Sequence, residues 1–228
     1  MKSKNKKYIS DAMVFILLFG CVSLLSDMTH EGAASIQGTY LSLIGASVTI
    51  IGFISGIGEL LGYSLRYVFG WIADKTKKYW TFTIIGYLID TLTVPLLAFV
   101  VPHGWIFACI ILVIQRIGKA IKKPSKDTIL SFAASREKVG KSFGIQEMLD
   151  QIGAFLGPLF LYLIMLFKVD GETYRIYALC FLFLLIPAIA TLALLFFTMR
   201  KFPNPDEFEV EPKKHEKFKI RPSFIFYI

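Results

Sequence analysis

Histidine and cysteine are scarce in this chain of 228 residues, which has three of each. His30 and Glu31 begin the zinc-protease spacing His-Glu-x-x-His, but Ala34 stands where the second histidine is needed. The sequence also has no Gly-x-Ser-x-Gly elbow, no phosphate-binding loop and no dinucleotide fingerprint. These absences argue against a metal site, a cofactor and an enzyme of these classes. The cysteines all lie in apolar runs, so we expect no disulfide framework.

Charged residues are also few, at 18% of the chain, whereas apolar residues make up 55% and the mean hydropathy is +0.59. Soluble domains average about 45–50% apolar residues. Here the excess is concentrated in blocks about as long as a bilayer is thick, which predicts a polytopic membrane protein in contact with lipid. The net charge of +8 comes from lysines between these blocks. The lysines are therefore expected to set the orientation in the membrane rather than to bind nucleic acid.

Six apolar runs predict an all-α bundle of six transmembrane helices over residues 1–199. A charged linker at residues 200–222 follows, and then the start of a seventh span at residues 223–228. Basic residues concentrate in four predicted inner segments, at residues 1–10, 75–78, 122–141 and 200–221. The predicted outer segments hold only Lys168 and Arg175. Because short loops rich in Lys and Arg stay cytoplasmic, we predict a plasma-membrane protein with a cytoplasmic N-terminus.

Residues 70–80, GWIADKTKKYW, join the second and third apolar runs in a short basic turn. Gly70, Asp74, Lys75 and Lys78 resemble the motif between the second and third spans of the Major Facilitator Superfamily. In that family the motif contains a second glycine, but Lys77 stands at its position here. We therefore expect a looser turn than the family has.

Two further stretches carry the same resemblance. Residues 116–127, RIGKAIKKPSKD, resemble the fourth-span arginine motif, although the glycines are placed differently. Gly153, Gly157 and Pro158 resemble the fifth-span glycine–proline motif, in which small residues allow close helix packing. The resemblance implies one half of a twelve-span transporter, built from two inverted three-helix repeats. It also implies that Gly70, Asp74, Lys75 and Lys78 form a cytoplasmic latch between the two halves.

Ionisable residues within the predicted spans are the candidates for a solute or proton pathway. At about 1.5 Å of rise per residue, those on five spans fall near one layer. The candidate residues are Asp27, Glu31, Glu59, Asp90, Arg116 and Asp150. A charge at the bilayer centre costs about 2.5–3.5 kcal/mol, so these groups should face a cavity or a partner. With Glu147 added there are six acids, but only Arg66, Arg116 and Lys119 as bases. At least one acid should therefore be solvated in a cavity or carry a proton.

These features predict a transporter that moves a small solute by alternating access. Asp27, Glu31 or Asp90 would couple transport to protons, and Arg116 and Glu59 would line the cavity. Because the resemblance covers one half of the family's fold, we expect two copies to pair, a second half to be encoded separately, or the chain to be a truncated remnant. The alternative function is a non-transporting six-span protein that acts through partner contacts. A channel is disfavoured because no span has a uniform polar stripe.

Overall fold

The computed structural model describes residues 10–166 and 173–209. These residues form helices and short connections, with no strand in either range. The helices are α1 (Asp11–Leu43), α2 (Val48–Thr76), α3 (Tyr79–Leu96), α4 (Trp105–Arg136), α5 (Val139–Met165), α6 (Thr173–Phe183) and α7 (Leu185–Lys201). Single 3₁₀ turns follow α3 at Leu97–Phe99 and α7 at Pro205–Phe208. The N-terminal lysines, Lys168, most of the predicted linker and the predicted seventh span lie outside the described residues.

Five helical segments are long and apolar enough to cross a membrane. They are α1, α2, α3 with its 3₁₀ turn, α5, and the continuous rod Thr173–Lys201 that α6 and α7 form. The predicted span that is missing from these five is the fourth along the chain, which corresponds to α4. Its 32 residues are about 48 Å long, which is sufficient, but it carries too many charges to qualify by composition. The count of six spans and the inverted repeats therefore stay predictions.

The predicted cytoplasmic loop at residues 122–141 is wrong in its boundaries. α4 continues to Arg136 and α5 begins at Val139, so the connection between them is only two residues long. Lys122 and Lys126 lie inside α4 and are each only 5% exposed. Basic side chains that the sequence assigned to a solvated loop are thus buried within the bundle.

The predicted turn at residues 70–80 is also shorter than expected. α2 continues to Thr76, so Gly70, Asp74 and Lys75 are helical, and only Lys77 and Lys78 connect α2 to α3. Lys77 adopts the left-handed conformation, with φ 57° and ψ 15°, and its N–H donates to the Ala73 carbonyl. This conformation is the usual way to end a helix, and glycine is the residue that adopts it most easily. The expectation of a looser turn is therefore wrong, because Lys77 takes the position of the missing glycine.

Two apolar clusters form the core, one towards each end of the bundle. The cluster at the end that carries the α2–α3 turn, which we call the lysine end, includes Phe15, Phe19 and Ile129. The cluster at the opposite end includes Tyr40 and Phe181. Between the two clusters, α1, α3, α4 and α5 each place polar side chains in the interior. The bundle therefore has a polar layer between two apolar ones.

α5 packs directly on the backbone of α1 through two glycines. A Cβ on Gly157 would lie 2.7 Å from the Gly32 nitrogen, and one on Gly153 would lie 2.9 Å from the Leu24 carbonyl carbon. Pro158 lies within α5, immediately after this contact. By contrast, glycines at 52, 56 and 62 of α2 have no atom of the described residues within 4 Å of a Cβ position. That face of α2 is open.

The segment after α7 packs across the lysine end rather than extending away as a linker. Trp80 donates its indole N–H to the Phe202 carbonyl at 3.2 Å. Arg136 donates to the backbone carbonyls of Phe208 at 3.0 Å and Glu207 at 2.6 Å. The ring of Phe15 contacts those of Phe202 and Phe208. Residues 202–208 thus belong to the packed bundle.

Candidate functional site

The polar layer contains a buried ion pair between α3 and α4. The Lys122 ammonium pairs with Asp90 Oδ2 and also donates to Ser26 Oγ on α1 at 2.7 Å. The same ammonium lies 4.2 Å from the centroid of the Tyr87 ring. Asp90 is 2% exposed and Lys122 is 5% exposed. A buried pair of this kind is stable only when each partner compensates the charge of the other.

His30 lies beside this pair and connects α1 to α4. Its Nδ1 is 2.9 Å from Gln115 Nε2 and 3.7 Å from Asp90 Oδ1, and its Nε2 is 2.9 Å from the Lys119 ammonium. An ammonium group has donors only, so Nε2 accepts from Lys119. In the described part of the chain, no group of three or more His, Cys, Asp and Glu residues is placed to hold a metal ion. The His30 ring therefore forms part of the hydrogen-bonded contact between α1 and α4.

Two further ion pairs connect α4 to its neighbours. Arg116 pairs with Glu59 of α2. Lys126 lies 3.3 Å from Asp150 Oδ2 of α5, and the other oxygen of Asp150 accepts from Gln146 at 2.7 Å. Each pair contains one of the candidate acids from the sequence. The third such acid, Asp90, is paired as described above.

Two polar cavities lie beside these pairs. The first has a volume of about 290 Å³ and is bordered by His30, Glu59, Arg116 and their neighbours on α1, α2 and α4. The second has a volume of about 400 Å³ and is bordered by α1, α2, α4 and α5. The two cavities share three lining residues, which are Glu31, Arg66 and Lys119. They are therefore adjacent parts of one polar region.

The structure brings most of the predicted pathway residues to this polar region. Glu31, Glu59 and Arg116 line the first cavity, and Asp27, Glu31 and Asp150 line the second. Asp90 lines neither cavity and is buried behind them with Lys122. Among the described residues, the Asp27 carboxylate has no hydrogen-bond donor and no ion-pair partner. Glu31 also has no lysine or arginine partner there, and its nearest ring nitrogen is that of His30 at 3.8 Å.

Acids still outnumber bases in this layer, but by one rather than by three. Lys122 and Lys126 add two bases that the sequence analysis had placed in a loop. The helical spacing could have found them, because Arg116, Lys119, Lys122 and Lys126 follow one another at intervals of three or four residues. That spacing places them on one face of a helix. His30, which the sequence analysis considered only as a metal ligand, was missed as a partner of Lys119.

The predicted latch residues lie at the lysine end, away from the cavities. Asp74 accepts a hydrogen bond at 3.3 Å from the hydroxyl of Tyr79, which is the first residue of α3. Lys75 lies with its ammonium 5.0 Å from the centroid of the Trp71 ring. Gly70 faces Pro124 of α4, whose Cβ would lie 3.4 Å from a Cβ at Gly70. Lys78 immediately precedes α3. Arg116, in the stretch that resembles the fourth-span motif, pairs with Glu59 rather than with a latch residue.

Long apolar helices that enclose paired charges and a polar region between two apolar layers are typical of a polytopic membrane protein with a hydrophilic interior. The family model of the Major Facilitator Superfamily matches residues 8–227. The chain belongs to this superfamily.

Similar proteins are found in Mycobacterium and in Methanocaldococcus. An uncharacterized protein of Mycobacterium tuberculosis is 40% identical over 198 residues, which is 86% of this chain and 46% of that protein. An uncharacterized protein of Mycobacterium bovis matches to the same extent. An uncharacterized MFS-type transporter of Methanocaldococcus jannaschii is 30% identical over 154 residues, which is 68% of this chain and 38% of that protein. The chain thus spans less than half the length of the curated relatives it matches.

Proposed function

We propose that this chain forms part of a secondary transporter that moves a small solute across the plasma membrane by alternating access. Membership of the Major Facilitator Superfamily supports this function, as does the name of the archaeal relative. The observation that carries the proposal is the polar region between α1, α2, α4 and α5, which reaches the middle of an otherwise apolar bundle. Family membership and this region favour transport over the non-transporting alternative.

We further propose that protons drive the transport and that Asp27 carries the proton. Asp27 borders the second cavity together with Lys122, Lys126, Glu31 and Asp150. Asp90 and Asp150 each have a lysine partner, so a proton on either would leave that lysine without its partner. Asp27 has no such partner among the described residues, and it can gain or lose a proton without breaking an ion pair. Glu31, which is 41% exposed at its side chain, is the second choice.

The cavities are partly open to the surface of the bundle, and we propose that a second six-helix body completes the pathway. Glu59 on the wall of the first cavity is 50% exposed at its side chain, and the glycine face of α2 is uncovered. Either a second copy of the chain or a separately encoded half would cover these surfaces. The latch residues Gly70, Asp74, Lys75 and Lys78 would then contact this second body at the cytoplasmic end.

Proteoliposomes that enclose a pH-sensitive dye test proton coupling directly. Addition of a transported solute should change the internal pH with the wild-type chain. Asp27→Asn should abolish this change and keep solute exchange in the absence of a gradient, whereas Asp27→Glu should restore it. Asp11→Asn is the matched control, because Asp11 is exposed in the first turn of the same helix. Proton movement that persists in Asp27→Asn would exclude Asp27 as the proton carrier.

A further inference from the structure

We propose that the transported solute carries a carboxylate or phosphate group, and that Arg66 and Lys119 bind this group where the two cavities meet. The inference rests on the proposed transport function and identifies the class of its substrate. Arg66 and Lys119 are the two cations that line both cavities. A group held at this place would therefore be in contact with both parts of the polar region.

The other cations around the cavities have acidic partners, and these two do not. Arg116 pairs with Glu59 and Lys122 pairs with Asp90. Lys123 and Lys126 pair in the same way, at 3.4 and 3.3 Å from Asp127 and Asp150. Within the described residues, neither Arg66 nor Lys119 has a carboxylate within 4.0 Å. Their charges are consequently available to a solute.

Both side chains are held by neutral groups that leave N–H donors free. The guanidinium carbon of Arg66 lies 4.9 Å from the centroid of the Tyr63 ring, and its buried Nε has no hydrogen-bond partner among the described residues. Lys119 donates one N–H to His30 at 2.9 Å, and an ammonium has three. Arginine held on an aromatic ring can bind a carboxylate or phosphate through two parallel hydrogen bonds.

The remaining charges at the junction favour an anion over a cation. Glu31 is the one acid that lines both cavities, and it is partly exposed, so water can solvate it. Two cations and one acid leave an excess of positive charge where the cavities meet. A cationic solute would be repelled there, and Asp27 stays free to bind the proton. Volumes of about 290 and 400 Å³ are suited to a small organic anion.

Ligand-dependent thermal stability of the purified chain in detergent tests the inference without a proton gradient. The probes are inorganic phosphate, succinate and benzoate, with succinamide and benzamide as uncharged counterparts. At least one anion should raise Tm in a saturable manner at millimolar concentration, and its amide should not. Arg66→Gln and Lys119→Gln should each weaken binding of that anion by about tenfold or more, because a charge-assisted hydrogen bond is lost.

Two controls separate loss of binding from loss of folding. Lys141→Gln removes an exposed charge at the start of α5 that lines neither cavity, and should leave the affinity unchanged. Arg66→Lys keeps the charge and should retain part of the affinity. For each variant, the rise in Tm caused by the anion is measured from that variant's own Tm without ligand. Its elution profile in size-exclusion chromatography is the folding check.

The outcomes distinguish this inference from the proposed function. Absence of stabilisation by every anion, equal stabilisation by the amides, or wild-type affinity in both glutamine variants would overturn the anion site. Anion binding that depends on Arg66 and Lys119, in a chain that transports nothing, would support the site and count against transport. Transport of an uncharged solute would overturn the inference and leave the proposed function intact.

Discussion

Gly157 gives a direct test of how closely α5 packs on α1. Replacement by alanine would place a Cβ 2.7 Å from the Gly32 nitrogen and 3.1 Å from the Gly32 Cα, and nearer still to the Met28 carbonyl oxygen. Ordinary contact begins at 3.4 Å, so the Gly32 nitrogen is 0.7 Å too close. All three neighbouring atoms belong to the backbone, so no side chain can rotate away. The two helices must separate.

The expected loss of stability follows from this separation. A gap of about 0.5–1 Å forfeits a quarter to a half of the dispersion energy of the contacts it opens. Overpacking of this kind costs about 1–3 kcal/mol. The same change from glycine to alanine favours the helix by up to about 1 kcal/mol, which offsets part of the loss. At an unstrained position in the same helix, only the favourable effect should be seen.

Gly144→Ala supplies that comparison, because Gly144 lies in α5 and a Cβ there has no neighbour within 4 Å. The Tm of Gly157→Ala in detergent should lie about 2–12 °C below that of Gly144→Ala, if each kcal/mol shifts Tm by about 2–4 °C. Differential scanning fluorimetry on purified protein measures both variants. Equal Tm values would show that α1 and α5 are not in backbone contact at Gly157, and would refute the packing described above.

Three further predictions concern charges and the α2–α3 turn. Lys122→Gln leaves Asp90 buried without its cation and should lower the free energy of unfolding by about 3–5 kcal/mol. Lys123→Gln, in an exposed pair on one helix, should lower it by only about a few tenths of a kcal/mol. Equal Tm values for the two variants would exclude the buried pair. Lys77→Gly relieves a left-handed conformation that costs a non-glycine residue about 1–2 kcal/mol, partly offset by the greater freedom of glycine when unfolded. Its Tm should therefore rise, and a fall would contradict the turn geometry. Asp74→Asn keeps an oxygen that can accept from the Tyr79 hydroxyl, so the protein should still insert into the membrane but transport solute more slowly in proteoliposomes. Wild-type rates would remove the latch role.

The sequence predicted the helical class, the family and the layer of intramembrane charge because each depends on composition or local pattern. It failed where a partner lies far along the chain. Lys122 pairs with Asp90, which is 32 residues away on another helix. Hydropathy cannot distinguish a solvated lysine from a buried one whose charge is compensated, and the positive-inside rule then favours a loop. The position of α4 among its neighbours was the missing information.

Asp27 shows the same limit of the sequence analysis, because the sequence cannot show that an acid lacks a partner. In the sequence it looks like the other pathway acids, since it is one carboxylate in a long apolar run. Only the packing shows that Asp90 and Asp150 have lysine partners and that Asp27 has none among the described residues. The geometry therefore narrows the candidate proton carriers to the two acids without a lysine or arginine partner among the described residues, Asp27 and the more exposed Glu31.

Among the described residues, the interhelical pairs of a lysine or arginine with a carboxylate all use α4, and this explains why α4 is more charged than the other long helices. Its cations pair with Glu59 on α2, Asp90 on α3 and Asp150 on α5. Each pair also fixes the position of α4 relative to one neighbour, around the same polar region. Lys119 belongs to α4, so an anion bound by Lys119 would contact this helix. Lys122 and Lys126, which border the second cavity together with Asp27, also belong to α4. Solute binding and proton transfer would then act on the same helix, and α4 is the element through which we expect the two events to be coupled.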